Sequence, residues 1–241
     1  MVSVVIPLAH SILDGHIFPI LDSLVHFSTL EIIVIHNLDR EQQGSLISYF
    51  DKSSQEVERA TIKVEQLVTN SRAARINRGI DLASHNLILI HHPRSIVEKG
   101  GIEYLIEHQS DLQWGGFTHR FDHHHLLLDF TSWYSNRVRA KRGIIYLDHS
   151  IFAPTSWLKQ VGPLPPVDIF EDTILSAKLR VIASPIILPY YSTTSAIRFL
   201  QRGVIRQIAT NLLLKVAFHL KISSRRINMI YEQKVKLNSK Y

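Results

Sequence analysis

Several charged side chains of this sequence are spaced so that they could bind an anion or move a proton. Arg72 and Arg75 lie one helical turn apart near the start of a predicted helix. A helix N-terminus favours anions, and two guanidiniums add bidentate recognition of phosphate. Glu171 and Asp172 are adjacent at the start of another predicted helix, where one carboxylate could act as a general base and the other could orient it. Each pattern also has a structural explanation: a solvated basic face for the arginines and, because Asp168 lies three residues before Glu171, a capping box for the carboxylates.

Histidines are a second source of possible chemistry, because imidazole is a common ligand of zinc, copper and nickel. His123, His124 and His125 are consecutive. On an extended strand they would point to alternate faces, so they could not bind one ion together. The sequence contains no His-Glu-X-X-His spacing, which makes a metal hydrolase a weak interpretation.

A third pattern lies near the C-terminus, where Arg198, Arg202 and Arg206 are spaced four residues apart. On one helix they would form a basic stripe. The opposite face would carry the apolar residues Val204, Ile208 and Leu212. Such a stripe could bind phosphate or anionic lipid, and a solvated face is its ordinary alternative.

Composition narrows the class of protein. The chain has 241 residues with 27 Lys and Arg against 21 Asp and Glu, which favours an anionic partner without choosing among nucleotide, nucleic acid and acidic lipid. It has no cysteine, so disulfides and thiolate metal sites are excluded. Neither a signal peptide nor an apolar stretch of about 20 residues is evident. We therefore expect a cytoplasmic protein, with at most a peripheral contact at the inner membrane surface.

The first half of the chain must position these residues on alternating strands and helices. Buried strands are predicted in VSVVIP, EIIVIH and Leu87–Ile90, and TIKVEQLV has the alternating pattern of a further strand. Helices are predicted over Ile17–Phe27, Gly44–Phe50 and Arg72–Ala83. This order indicates a doubly wound parallel sheet.

The second half has a different pattern. Helices are predicted over Gly100–His108, Ser132–Lys141 and Thr173–Arg180, with a basic helical segment from Ser195 onward. GGFTHRFD and ASPIILPYY are typical of strands, and GIIYLDHSIFAP predicts a strand, a turn and a strand. No repeat or linker divides the chain, so residues 1–241 are expected to form a single domain.

The order of these segments resembles the family 2 glycosyltransferases of the GT-A fold. A strand ending in proline, the strand EIIVI and the stretch SRAARINRGIDLASHNLILIHH follow one another as in that family. The last stretch is closest to a bacterial subgroup with the pattern GRARQMNAGA…LLFLHADT. GGFTHRFD, GIIYLDHSIF, EDTILSAKLR and TTSAIRFLQRG continue in the subgroup's order, so the likeness runs from Ser3 to about Tyr231.

The resemblance implies an α/β, Rossmann-like single domain with a mixed sheet flanked by helices and a C-terminal helical tail. Residues 1–95 would bind a nucleotide sugar, 96–192 an acceptor, and 193–241 would form the basic tail. The implied reaction is inverting transfer of a sugar from a nucleotide-sugar donor to an acceptor. No nucleic acid partner is expected.

The family's functional positions map onto this sequence residue by residue. Asp172 would take the proton of the acceptor hydroxyl with support from Glu171. Asp148 and His149 would contact the acceptor. The implied contacts to the nucleotide sugar are Pro7, His36, Asp39, Arg72, Arg75, Asn77, Arg94 and Arg198.

The sequence departs from the family at its metal site. The family holds Mn²⁺ or Mg²⁺ with an Asp-X-Asp element after the fourth strand, and HADT is matched here by His92-Pro93-Arg94-Ser95. The nucleoside-binding Asp of the second strand is replaced by His36. Three explanations are open. Arg94 could neutralise the pyrophosphate in place of a metal, His91 or His92 could hold a metal in another geometry, or the chain could be an inactive scaffold that serves as a binding subunit. The sequence favours the first.

Overall fold

The structure is a computed structural model that describes residues 1–9, 17–53, 59–223 and 226–229. Its strands are β1 (Val2–Leu8), β2 (Leu30–His36), β3 (Thr61–Gln66), β4 (Leu87–Ile90), β5 (Ser95–Val97), β6 (Gly115–Phe121), β7 (Ile151–Pro154) and β8 (Ile186–Thr194). Its helices are α1 (Ile17–Val25), α2 (Arg40–Ser53), α3 (Arg72–Leu82), α4 (Lys99–His108), α5 (Leu126–Tyr134), α6 (Thr155–Val161), α7 (Glu171–Leu179), α8 (Ile197–Arg202) and α9 (Val204–His219).

The described strands form one mixed sheet in the order β3-β2-β1-β4-β7-β6-β8-β5. β3, β2, β1 and β4 are parallel, as the sequence predicts. β7 is antiparallel to β4 and β6, β8 is parallel to β6, and β5 is antiparallel to β8. The carboxyl ends of β1, β2 and β4 therefore lie at one edge, where ligands of open α/β sheets bind.

Alternating side chains of the parallel strands build two separate cores. Val4 of β1 packs on the face covered by α1, α2 and α4, whereas Val5 packs on the face covered by α3 and α7. Ile32 and Ile33 of β2 divide in the same way. Because both of their faces are covered, β1, β2 and β4 are continuous apolar runs, and that is why the sequence revealed them. The edge strand β3 is only partly buried.

The second half differs from the prediction at GIIYLDHSIFAP, whose first part is not a strand. The backbone N–H and C=O of Ile145 bond to the hydroxyl of Ser176 on α7, at 3.0 and 2.8 Å, instead of to a neighbouring strand. A 3₁₀ turn, Leu147–His149, then leads into β7. The sequence also missed β5 and α6, which are only 3 and 7 residues long.

The prediction that Arg198, Arg202 and Arg206 form a basic stripe on one helix is wrong. Gly203 has φ 84° and separates α8 from α9, so Arg198 and Arg206 belong to different helices. Val204 and Ile208 are partly buried against the cluster formed by Leu128, Ala196 and Phe199, instead of facing outward. Across the described ranges, no helix is long and apolar enough to cross a bilayer.

The close approach of α3 to β1 fixes the helix that carries Arg72. Gly79 of α3 lies on Val5, and a Cβ at this position would overlap Val5 Cγ1. Gly79→Ala should therefore lower the free energy of unfolding by about 1–3 kcal/mol, as overpacked core substitutions do. Urea denaturation measures this change. The matched control is Gly44→Ala on α2, where no atom of the described residues lies within 4 Å of the new methyl group and a small gain in stability is expected.

Candidate active site

The described residues enclose a cavity of about 160 Å³ at the carboxyl end of β4. It is lined by cations and carboxylates from both halves of the chain. The cations are Arg72, Arg94, Arg139, Arg198 and Lys215. The carboxylates are Asp148 and Asp172. This excess of positive charge suits a ligand with two or more negative charges.

Asp172 is the carboxylate at the start of α7, and its side chain is partly exposed to the cavity. Its Oδ2 accepts a hydrogen bond from Leu147 N at 3.1 Å, and its Oδ1 accepts one from Thr173 N at 2.6 Å. Burial and the neighbouring charge of Glu171 raise the pKa of Asp172 to about 6. A carboxylate with this pKa is a stronger base than an ordinary aspartate and is still ionised at neutral pH.

Glu171 is fully buried behind Asp172 and is held by an ion pair. Arg72 Nε donates to Glu171 Oε1, and Glu171 Oε2 has no hydrogen-bond partner among the described residues. α7 begins at Glu171 after Phe170, which has a left-handed backbone with φ 67°. Asp168 is therefore outside the cap position, so the capping-box alternative is wrong. The two carboxylates therefore face different partners: Glu171 faces Arg72, and Asp172 faces the cavity.

Asp148 faces His92 across the cavity wall. Asp148 Oδ1 lies 3.6 Å from His92 Nε2, and His92 Nδ1 accepts a hydrogen bond from Arg94 N at 3.2 Å. Burial lowers the pKa of His92 well below its usual value, so the ring is neutral with its proton on Nε2. Burial opposes the ionisation of Asp148, but its interactions with His92, His119 and Arg94 outweigh that effect and lower the pKa of Asp148 to about 2.

These residues do not fit a carboxylate-held Mn²⁺ or Mg²⁺. Arg94 stands where the GT-A resemblance expects the metal ligand, and it lines the cavity. Both ring nitrogens of His92 already face protein groups, and His91 Nδ1 lies 2.9 Å from Ser150 Oγ, away from the cavity lining. In the part of the chain that the structure describes, no three His, Asp or Glu side chains cluster to hold an ion.

A second basic wall comes from residues that the sequence analysis missed. The Arg139 guanidinium lies 3.5 Å from the centre of the Tyr146 ring, and Lys215 Nζ lies 5.5 Å from the same ring. Burial and the charge of Arg139 lower the pKa of Lys215 to about 8. Lys215 is the single charged residue in the apolar stretch LLLKVAF, and that contrast was the available signal.

His149 is not part of the cavity lining, but it contacts Ser135, which binds Arg139 of the second basic wall. Its Nδ1 donates to Phe117 O at 2.8 Å, and its Nε2 lies 2.5 Å from Ser135 Oγ. Ser135 Oγ in turn accepts a hydrogen bond from Arg139. The predicted acceptor residues are therefore divided: Asp148 reaches the cavity, whereas His149 orients a residue that does.

The predicted contacts to the nucleotide sugar are also divided. Arg72, Arg94 and Arg198 line the cavity, and Arg198 is only 3% exposed. The others lie outside the lining: Pro7, His36, Asp39, Arg75 and Asn77. The segment 10–16, which follows β1, lies outside the described residues.

Of the predicted contacts outside the lining, Asn77 and Asp39 form hydrogen bonds with backbone groups of the fold. Asn77 binds both backbone groups of Leu164 at 2.9 Å, and Asp39 Oδ1 accepts a hydrogen bond from Gln42 N at 2.9 Å at the start of α2. Pro7 is buried in β1.

Arg75 and His36 are also buried. Arg75 Nη1 donates to Thr69 O at 2.8 Å. His36 Nδ1 accepts a hydrogen bond from Leu38 N at 3.2 Å, beside the carboxyl end of β2.

Comparison with known proteins identifies the fold. No family model matches this sequence, and no curated protein sequence is significantly similar to it. Solved glycosyltransferase structures do match. S. aureus TarS 1–349 in complex with UDP-GlcNAc has a TM-score of 0.60 at 18% identity, covering 80% of this chain and 58% of that one. The mannosyltransferase PcManGT from Pyrobaculum calidifontis, in complex with GDP-Man and Mn²⁺, has a TM-score of 0.64 at 13% identity, covering 91% and 61%.

The chain has the GT-A fold. The mixed sheet and single domain predicted from the sequence are thereby confirmed. The chain spans about three fifths of the length of these two solved chains. At such identities the likeness establishes the fold alone.

The raised pKa of Asp172 predicts a stability effect of defined sign. The folded pKa of about 6 exceeds the ordinary 3.8, so the protonated form is favoured by folding, and this stability is lost as pH rises from about 4 through about 6. Asp172→Asn stays neutral. Its free energy of unfolding should exceed that of the wild type by a margin that grows over this pH range and is constant above it, as measured by urea denaturation.

Asp148→Asn is the matched variant with the opposite sign. Because the folded pKa of Asp148 is about 2, its ionised form stabilises the fold above about pH 4. Asn at this position should lower the free energy of unfolding at neutral pH. Equal effects of the two variants would show that their electrostatic environments do not differ.

Proposed function

We propose that this chain is a glycosyltransferase that moves a sugar from a nucleoside-diphosphate sugar to an acceptor hydroxyl with inversion. The observation that supports it is a single cavity holding both a basic carboxylate, Asp172, and a set of guanidiniums suited to a diphosphate. Solved structures of the same fold bind such ligands: TarS binds UDP-GlcNAc and PcManGT binds GDP-Man.

The leaving group of this reaction is a nucleoside diphosphate, and its departure develops negative charge. Arg72, Arg94 and Arg198 would neutralise that charge with fixed N–H donors in a partly desolvated cavity, where such contacts are strong. Arg94 would thus perform part of the electrostatic task that a divalent metal performs in related enzymes. We propose on this basis that the diphosphate binds without a metal.

Asp172 would act as the general base. The acceptor oxygen forms a bond to the anomeric carbon as the bond from that carbon to the phosphate oxygen breaks, and the hydroxyl proton passes to Asp172. Ionised Asp148, at the cavity wall, would accept a hydrogen bond from another hydroxyl of the acceptor. The base is active only when it is unprotonated, so activity should fall as pH drops below about 6.

The base assignment predicts the kinetics of Asp172→Asn. Turnover should fall by roughly 10²–10⁴-fold, the usual contribution of general-base catalysis, while the dissociation constant of the nucleotide sugar changes little. Release of nucleoside diphosphate from a panel of UDP and GDP sugars measures the rate. Asp168→Asn, which changes a nearby carboxylate outside the cavity lining, is the control and should keep wild-type turnover.

A binding subunit is the competing function, and the same experiment distinguishes it. It would bind nucleotide sugars without releasing nucleoside diphosphate under any metal condition. Wild-type turnover in folded Asp172→Asn protein would rule out the base while leaving a transferase possible.

The role of Arg94 predicts a loss of affinity. Arg94→Ala should weaken nucleoside-diphosphate binding in EDTA by about 1.5–3 kcal/mol, the range for hydrogen bonds to charged groups. Arg94→Lys keeps the positive charge but loses the paired N–H donors of the guanidinium. Its affinity for the nucleoside diphosphate should lie between those of the wild type and Arg94→Ala. Arg180→Ala removes an exposed arginine outside the cavity lining and should have no effect. Calorimetry in which Arg94→Ala binds as tightly as the wild type would remove Arg94 from the diphosphate site.

A further inference from the structure

The helix α5 presents its apolar face to solvent instead of to the core. Five residues share one side of the helix at spacings of one, three or four positions. They are Leu126, Leu127, Phe130, Trp133 and Tyr134, with exposed fractions of 86%, 39%, 60%, 53% and 36%. The buried residues of α5 include the polar Ser132. This arrangement is the reverse of an ordinary surface helix.

The helix α9 shows the same reversal. Its exposed apolar residues also recur at helical spacing. They are Ile205, Leu212, Leu213 and Val216, and Leu220 follows the helix end with 69% of its surface exposed. Gln207, by contrast, is fully buried. A helix that buries a polar amide and exposes leucines is suited to having its outward face covered by a partner.

These two faces belong to one region of the molecule. Leu128 of α5, Phe199 of α8 and Ile208 of α9 pack together in one small cluster, so the three helices form a single layer. We call the exposed apolar side chains of α5 and α9 the outer helical surface. Exposed patches of this kind mark contact sites for proteins or membranes.

The charge around the outer helical surface distinguishes a membrane from a second copy of this chain as the partner that covers it. From Thr173 to Tyr231, a range that includes α8 and α9, the chain has nine Lys and Arg and no Asp or Glu. α5 carries one exposed carboxylate, Asp129. Exposed cations follow the end of α5 along the chain, lie on α9 or follow its end: Arg137, Lys141, Arg142, Arg206 and Lys221. A second copy of this chain would bring two basic surfaces together, and their repulsion would oppose association.

We propose that the outer helical surface docks on an anionic lipid bilayer. Leucines and phenylalanine would enter the acyl boundary, Trp133 and Tyr134 would sit at headgroup level, and the cations would pair with lipid phosphates. This surface shares Arg206 and Leu212 with the predicted arginine stripe but differs from it in the rest. Arg198 is only 3% exposed and lines the cavity, and Val204 and Ile208 are partly buried. The proposal is independent of the proposed transferase activity.

Vesicle sedimentation tests the proposal. The wild type should pellet with phosphatidylcholine vesicles that contain phosphatidylglycerol, and less at high salt, whereas pure phosphatidylcholine should bind it weakly. Leu212→Gln/Leu213→Gln should abolish the binding. Arg137→Gln/Lys141→Gln/Arg142→Gln should reduce it by at least about tenfold.

The control variant changes exposed apolar residues elsewhere. Val68→Gln/Val181→Gln replaces two valines that are 91% and 83% exposed outside the outer helical surface, and it should bind as the wild type does. All substituted residues are exposed, so the melting temperatures should agree.

Fluorescence locates the contact. Brominated lipid should quench the tryptophan emission of the wild type, and Trp133→Phe should remove most of the quenching. Of the other two tryptophans, Trp114 is fully buried, and Trp157 on α6 is partly buried against the core on the α3 and α7 face of the sheet, outside the outer helical surface. Two results would overturn the proposal: no pelleting with anionic vesicles at low salt, or a concentration-dependent dimer that Leu212→Gln/Leu213→Gln converts to monomer. The second would assign the surface to another copy of the chain.

Discussion

The ion pair between Arg72 and Glu171 joins the two unlike halves of the domain. Arg72 begins α3, which packs on the parallel strands, and Glu171 begins α7, which belongs to the second half. Two neighbouring contacts strengthen the junction: Ser71 Oγ donates to Val167 O at 3.2 Å, and Asn77 binds the backbone of Leu164. Removing one member of such a buried pair leaves an uncompensated charge, at a cost of about 3–5 kcal/mol. The position of Asp172 depends on this junction.

The same pair sets the electrostatics of the cavity. Burial raises the pKa of Asp172 most, the charge of Glu171 raises it further, and that of Arg72 lowers it, so the pair adjusts the basicity that burial confers. Arg72 also lines the cavity, which connects the proposed base to the proposed diphosphate site. Proton transfer and leaving-group stabilisation would thus share one residue, and a change at Arg72 would affect both.

The sequence predicted the parallel half well because strands buried on both faces are continuous apolar runs, as β4 is from Leu87 to Ile90. It predicted the second half less well. Ile145 bonds to the side chain of Ser176, a tertiary contact that no local pattern reveals. Gly203 breaks the arginine stripe through its positive φ, which spacing alone does not show. In the candidate site, order along the chain indicated Asp172 and Arg94, whereas Arg139 and Lys215 meet only in the folded chain, at the ring of Tyr146.

The central claim is that guanidiniums, and not a metal, hold the diphosphate in this cavity. A crystal structure of the chain grown with a nucleoside-diphosphate sugar and Mn²⁺, with anomalous data collected at the manganese edge, tests it most directly. The account predicts phosphate oxygens within hydrogen-bond distance of the Arg94 guanidinium and no anomalous peak between the diphosphate and the protein. A manganese peak bridging the diphosphate to Asp148, with Arg94 turned away, would contradict it.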